Sequence, residues 1–312
     1  MADLLIGPAG IRFCDSRLDQ LRTLLAPMFG DRTDAFLSGG LAALRDPEPS
    51  RDWVQVGLAP REHHWPAVYA GLDRIAAELL DGQIATNFFY MHKPPGLRVR
   101  FEAPPGQRPL LHDELHTRLE LLRPHLDQLA PGIYEPEQLL FGGPASMSYT
   151  HRLFTADARA WLGYHQLAEP PSGWAFSLAL VRQLLNGLRI AGWEDLEVWE
   201  RIRRQAHRVI PAAIAPEKVN SAGAGIRAVW SDPDLLRSKL PEPALLLVDR
   251  WGTVLRDVAR HWQTEHFEGT EALIGSREAA AFVTIFHWNR GRLSALTQAL
   301  VAAALADRSN RP

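Results

Sequence analysis

Cysteine is almost absent from this 312-residue chain. The single one, Cys14, excludes an internal disulfide and any cysteine-based zinc site, and a reducing, cytoplasmic setting fits. Lysine is nearly as scarce. It occurs only at Lys93, Lys218 and Lys239, so arginine supplies most of the 34 Lys and Arg residues. Against 36 Asp and Glu the formal net charge is -2, which leaves no global basic field to hold a nucleic acid. No apolar run approaches the length of a membrane span. The opening MADLLIGPAGIRFCD has neither the basic start nor the apolar stretch of a signal peptide. What is present is ordinary globular material, 46% hydrophobic and 22% charged, long enough for one large domain or two modest ones. Arginine forms a planar fork that reads carboxylates and amides, so its local clusters say more than the net charge.

Periodicity divides the chain by character. Leu18 to Leu25 reads as helical, and SGG (Ser38 to Gly40) and DPEPS (Asp46 to Ser50) read as turns. DWVQVGL (Asp52 to Leu58) alternates as a strand does. Val68, Leu72, Ile75, Ala76, Leu79 and Leu80 recur at helical spacing, with Pro66 suited to a first turn. Ile84 to His92 and Leu97 to Phe101 predict two more strands around a Pro94–Pro95–Gly96 turn, and Leu110 to Leu129 predicts a helix. Beyond residue 146 the patterns are helical: Ser146–Leu167, Trp174–Ile190, Leu196–Val209, Pro243–Trp262 and Ser276–Ala306, with NSAGAG (Asn220 to Gly225) as a connector. The fold class expected is α+β, a single domain over 1–312. A mixed β-sheet with flanking helices fills about 1–145, and a mostly helical half, about 146–312, packs on it. A crevice between two such layers is the default place for a ligand.

Three segments could carry chemistry. In the strand LRVRF, alternation puts Leu97, Val99 and Phe101 on one face and Arg98 and Arg100 on the other. That pair is either a solvated strand edge or a clamp for carbonyl or carboxylate oxygens. In YEPEQLLFGG, Tyr134, Glu135 and Glu137 precede the Gly142–Gly143 pair. The segment is either a polar edge ending in a glycine turn or the source of a carboxylate that works as acid, base or orienting group. In TIFHWNRGRLS, a helix would align Phe282, Ile285, Phe286, Asn289, Leu293, Leu296 and Leu300 in one stripe, with His287 and Arg290 on its flank. Asn289 inside such a stripe needs a partner. His287 is either a surface histidine or a proton carrier at the crevice edge. His112 and His116 are four apart on a helix, but Asp113 stands where zinc peptidases place glutamate and no third ligand is evident, so no metal is expected.

Taken together, FFYMHKPPGLRVRFE, YEPEQLLFGGPASMSYTHRLFTADARAWL and FHWNRGRL resemble, in order and spacing, the domain shared by lantibiotic dehydratases and thiopeptide biosynthesis proteins, from about Trp53 to the C-terminus. The resemblance implies the elimination-domain fold, a ribosomally made peptide as substrate, and no cofactor. It assigns catalytic work to Arg98, Arg100, Glu137 and His287; Tyr90, Tyr134, Asn289 and Arg290 are the candidate substrate-binding residues beside them. The eliminating members usually carry an arginine three residues after the glutamate, where this chain has Leu140. That departure favours the stand-alone pyridine synthases of the family. These join two dehydroalanines of a leader-bearing, thiazole-containing peptide in a formal aza-Diels–Alder (4+2) cyclisation, with loss of water and of the leader as carboxamide. Glutamate elimination to dehydroalanine and non-catalytic leader binding are the alternatives. Other enzymes of the same pathway are the partners this implies; no nucleic acid or membrane is, and the oligomeric state, a homodimer among its options, stays open.

Overall fold

The computed structural model describes residues 5–7, 10–12, 15–37, 52–205 and 208–307. Cys14 and the SGG and DPEPS turns lie outside the described residues. The chain packs as two compact units, 1–51 and 52–312, so the sheet-bearing and helical stretches discussed below belong to one unit. The first unit contains an antiparallel pair, β1 (Leu5–Gly7) and β2 (Gly10–Arg12), and helix α1 (Asp15–Phe29), which includes the expected 18–25 stretch.

The second unit opens with β3 (Trp53–Pro60), α2 (Trp65–Asp81), β4 (Asn87–Lys93), β5 (Gly96–Glu102), α3 (Arg108–Glu120) and β6 (Leu126–Gly132). The strands form one sheet in the order β4-β5-β3-β6 with every pairing antiparallel, the βαββαβ arrangement of ferredoxin-like folds. The α+β class is as expected; the sheet is antiparallel throughout rather than mixed, because β4 and β5 form a hairpin and each helix crossover skips a strand position. Pro66 stands in the first turn of α2, where its missing N–H costs nothing, and Val68, Leu72, Ile75, Ala76 and Leu79 form its buried stripe.

The expected helix to Leu129 ends early, at Glu120. Pro124 cannot donate to a helical ladder, and the chain after it becomes β6, where Gln128 and Leu129 pair with Ala59 and Leu58 of β3. Pro131 is tolerated because β6 is an edge strand.

Eight α-helices follow among the described residues: α4 (Met147–His165), α5 (Gly173–Gly187), α6 (Asp195–Arg204), α7 (Pro216–Ser231), α8 (Pro233–Ser238), α9 (Glu242–Trp262), α10 (Ser276–Arg290) and α11 (Ala295–Ala306). Two expectations change. NSAGAG lies inside α7 rather than in a connector: α7 packs against α11, with the buried Gly223 facing Ala304. Packing there outweighs the low helix propensity of glycine. Ser276–Ala306 is two helices, not one. Arg292 takes a φ of +53°, and Ser294 caps α11 by accepting from the Thr297 N–H at 3.1 Å. Gly291 at this junction is required by contact, since a Cβ would come within 2.3 Å of the Trp161 ring. Among the described residues no helix is long and apolar enough to cross a membrane.

Candidate functional site

Strand register decides which side chains meet. Arg100 lies opposite Gln55 of β3 and Phe89 of β4, and Arg98 opposite Gly57 and Met91. Leu97, Val99 and Phe101 point to the other face and are fully buried there. The two arginines thus share a face as the alternation predicts, but their surroundings differ. Arg100 is only 7% exposed. Its guanidinium stands 5.0 Å from the ring centroids of both Phe89 and Tyr134, and its Nε donates to Gln55 Oε1 at 2.7 Å. Gln55 in turn lies across Gly132, where a Cβ would meet the Gln55 amide nitrogen at 2.5 Å. Burial pushes the Arg100 pKa down to about 10, with Tyr134 and Glu137 opposing, so it stays a cation at neutral pH. Arg98 is half-buried.

Tyr134 closes the aromatic side. It is buried, and its hydroxyl lies 2.8 Å from His151 Nε2 on α4. Burial raises the Tyr134 pKa and pushes that of His151 down to about 3, so both are neutral at pH 7. Trp53 packs on both rings, 4.8 Å and 4.4 Å between centroids. Glu137 is not buried. It begins a short turn, its side chain is 47% exposed, and its Oε1 lies 3.7 Å from Lys93 Nζ. Ile133, Leu139 and Leu273 are exposed apolar side chains of the loops around it. This sheet face therefore offers cations beside one accessible carboxylate, with an apolar rim. It can hold substrate oxygens and exchange a proton through Glu137.

The third segment is placed differently from its helical-wheel position. His287 is 3% and Arg290 0% exposed; neither is on an open flank. Helix α10 packs against α4, α5, α6 and β4, so most of its circumference is covered. His287 Nδ1 lies 2.5 Å from Asp157 Oδ1 of α4 and 3.0 Å from Trp161 Nε1, and its Nε2 lies 2.9 Å from Ser177 Oγ of α5. Arg290 Nε donates to the second oxygen of Asp157 at 2.5 Å. Its guanidinium covers the Phe154 ring at 4.4 Å, and Nη1 reaches the Met91 sulfur at 3.4 Å. Burial works to raise the Asp157 pKa, but His287 and Arg290 outweigh it and hold the carboxyl below its usual value. Ser177, His287 and Asp157 stand in the order of an acyl-transfer triad. Yet Ser177 is 0% exposed and its Oγ also accepts from Trp288 Nε1 at 2.9 Å, so no face of it is open to a carbonyl.

Asn289 has the partner its position demands. Its amide accepts from the His92 N–H at 2.8 Å and donates to the His92 carbonyl at 3.1 Å. Tyr90, fully buried, donates to the Arg290 carbonyl at 3.3 Å, and burial holds its pKa well above the usual value. The structure thus gathers Arg98, Arg100, Tyr134 and Glu137 on one sheet face. It places Tyr90, His287, Asn289 and Arg290 in an adjoining buried network, joined to that face through the Phe154–Phe89 contact (5.1 Å) and Met91. Among the described residues no group of three or more His, Cys, Asp or Glu is arranged to hold a metal ion.

The family model of the lantibiotic biosynthesis dehydratase C-terminal domain matches residues 53–308. The chain belongs to this family. The match covers nearly all of the second unit, including each segment described above. The tRNA-dependent lantibiotic dehydratase MibB from Microbispora sp. 107891 has a similar fold, with a TM-score of 0.58 and 14% identity over 84% of this chain. The family domain here spans 28% of that longer chain. No curated protein matches the sequence.

Sequence reasoning missed Gln55, Lys93, His151, Asp157 and Ser177. Asp157 had a readable signal: on α4 it sits among Leu153, Phe154, Ala158, Trp161 and Leu162, a charge on an apolar helix that must be paired. Gln55 had one too, as the polar residue of an otherwise apolar strand.

Proposed function

We propose that the protein modifies a ribosomally made peptide and that its reaction is the formal (4+2) pyridine synthesis. The observation that carries this is the sheet face itself: half-buried Arg98 beside aromatic-clamped Arg100, with the Glu137 carboxylate accessible and apolar side chains around them. Arg98 and Arg100 hold amide oxygens and favour the iminol tautomer by hydrogen bonding its oxygen. Glu137 moves protons during tautomerisation and the loss of water. Ile133, Leu139 and Leu273 suit the flat, apolar body of a thiazole-rich peptide. Holding two dehydroalanines of one chain together makes the C–C and C–N bond formation intramolecular, which supplies much of the rate. Tyr134 acts by fixing Arg100. His287, Asn289 and Arg290, with Tyr90, act at one remove, as positioning residues that anchor α10 and β4 behind the site.

Glutamate elimination is the second reading, and one observation favours it: a cation does stand next to Glu137, although Leu140 replaces the arginine expected there. One incubation separates the two. With a leader-bearing, thiazole-containing, bis-dehydroalanine peptide, pyridine synthesis releases water and the leader as carboxamide. Loss of glutamate from a glutamylated peptide, with no change to the bis-dehydroalanine peptide, gives the second reading. Binding of both without a change in mass overturns both.

A further inference from the structure

Where α5, α7, α8 and α11 meet, the second unit holds a cavity of about 480 Å³. Side-chain size explains its place. Ala222, Gly225, Ile226 and Val229 recur at helical spacing and share one face of α7. Ile226 and Val229 are buried, whereas a Cβ on Gly225 would meet nothing within 4 Å, so the hollow opens over the small residues. Leu300 and Val301 of α11, Trp174 of α5 and Leu235 of α8 supply the rest of an apolar wall. None of these residues belongs to the arginine-bearing sheet face or to the network around His287.

Two further side chains, both polar, line the hollow. Thr297 is already engaged, its Oγ1 lying 2.8 Å from Ser294 Oγ. Lys239, just past α8, is exposed, and its ammonium has no ion pair among the described residues. Arg237, two residues earlier, does have a partner, Asp249 at 2.8 Å. Apolar walls hold water poorly, and a hydrocarbon body that displaces it gains the free energy of burial. The one unpaired polar group on the wall is a cation, a compact point charge that calls for a single anionic head. The volume lies in the lower half of the range for small-molecule sites, roughly 300–1,000 Å³, which suits one alkyl chain.

We propose that this hollow binds a medium-chain alkyl carboxylate, with its chain against α7 and α11 and its carboxylate on Lys239. The site is separate from the sheet face, and its occupancy does not depend on which reaction that face performs.

Decanoate is the probe, titrated calorimetrically below its micelle threshold into the full chain and into Gly225→Leu, Lys239→Met and Lys218→Met. The parent binds decanoate and does not bind butyrate, which carries the same head without the chain. Gly225→Leu puts a side chain into the hollow, where there is room for it, and removes a poor helix former from α7. It melts no lower than the parent and binds decanoate at least about tenfold more weakly. Lys239→Met weakens binding by about tenfold, the usual worth of one charge-assisted hydrogen bond. Lys218 is exposed in the first turn of α7, outside the lining, and controls for general loss of positive charge; Lys218→Met binds as the parent does. Absence of decanoate binding by the parent overturns the proposal, as does equal binding of butyrate. Undiminished binding by Gly225→Leu places the ligand elsewhere, and undiminished binding by Lys239→Met, or an equal loss in Lys218→Met, removes the carboxylate contact; each of these also overturns it.

Discussion

Removing the His287 side chain tests whether it works on substrate or holds the fold. His287→Ala deletes an imidazole that is 3% exposed and stands at 2.5 Å, 2.9 Å and 3.0 Å from Asp157, Ser177 and Trp161. Three buried polar groups lose a partner, and Asp157 keeps only Arg290. Each unsatisfied buried group costs about 1–3 kcal/mol, and breaking a buried ionic network typically costs about 3–5 kcal/mol, before any term for the cavity. A loss of about 3–5 kcal/mol is a large part of the net stability of a domain. In a unit of this size it lowers the melting temperature by on the order of 10 °C. Circular dichroism melts of the parent, His287→Ala and His287→Gln measure it. The glutamine variant retains a hydrogen-bonding side chain and recovers part of the loss. At a temperature where His287→Ala is fully folded, its turnover falls by less than about tenfold, because the sheet face is intact. A variant that melts with the parent yet loses a hundredfold or more in rate refutes this reasoning and returns His287 to direct proton transfer.

Acid should destabilise the protein well before its carboxylates titrate. Burial pushes His92 and His151 down to about 3 and His165 to about 4, whereas the unfolded chain takes up these protons near 6.5. Their contribution is present above about pH 6.5 and is lost as pH falls toward 4 and 3, by at most about 1.4 kcal/mol per pH unit for each histidine; urea midpoints that stay flat between pH 7 and 5 contradict it. Arg98→Ala should melt within about 2 °C of the parent while turnover falls at least about tenfold, whereas Arg100→Ala should also lose about 1–3 kcal/mol, because Arg100 is buried between two rings and bonded to Gln55. Equal melts for the two variants would contradict this. Gly132→Ala should displace the Gln55 amide and loosen Arg100; the measurement is a turnover loss larger than the accompanying stability loss, and an unchanged rate speaks against Gln55 as the orienting group.

What the sequence made legible were the local patterns. Alternation located β3, β4 and β5 and put Arg98 and Arg100 on one face, and helical spacing located α2, α4, α5 and α9. The misreadings came from tertiary context. β6 is a strand because β3 offers it an edge, not because LDQLAPG alternates cleanly. Asn220 to Gly225 is helical within α7, which packs its Gly223, Ile226 and Val229 side against the neighbouring helices. The continuing apolar stripe of Leu293, Leu296 and Leu300 hid the break at Gly291 and Arg292. His287 was misplaced because a helical wheel assumes one covered side, and α10 is covered on several. A chain position likewise cannot reveal that Lys93 and Glu137, 44 residues apart by number (137 − 93), meet across the sheet.

The paired bonds between Asn289 and His92 have a consequence for how a peptide can reach this protein. β4 is an outer strand, and an outer strand invites an extended chain to join the sheet through its unused backbone groups. Here three of those groups are spent. The Phe88 N–H donates to Thr155 Oγ1 at 3.0 Å, and the His92 N–H and carbonyl are both taken by the Asn289 amide, which imitates a neighbouring peptide unit. At the opposite margin, Pro131 of β6 has no N–H to offer. These bonds leave an extended chain fewer backbone partners along β4. Under the proposed function, a peptide substrate would then be recognised through its side chains and carbonyls rather than by strand addition at β4.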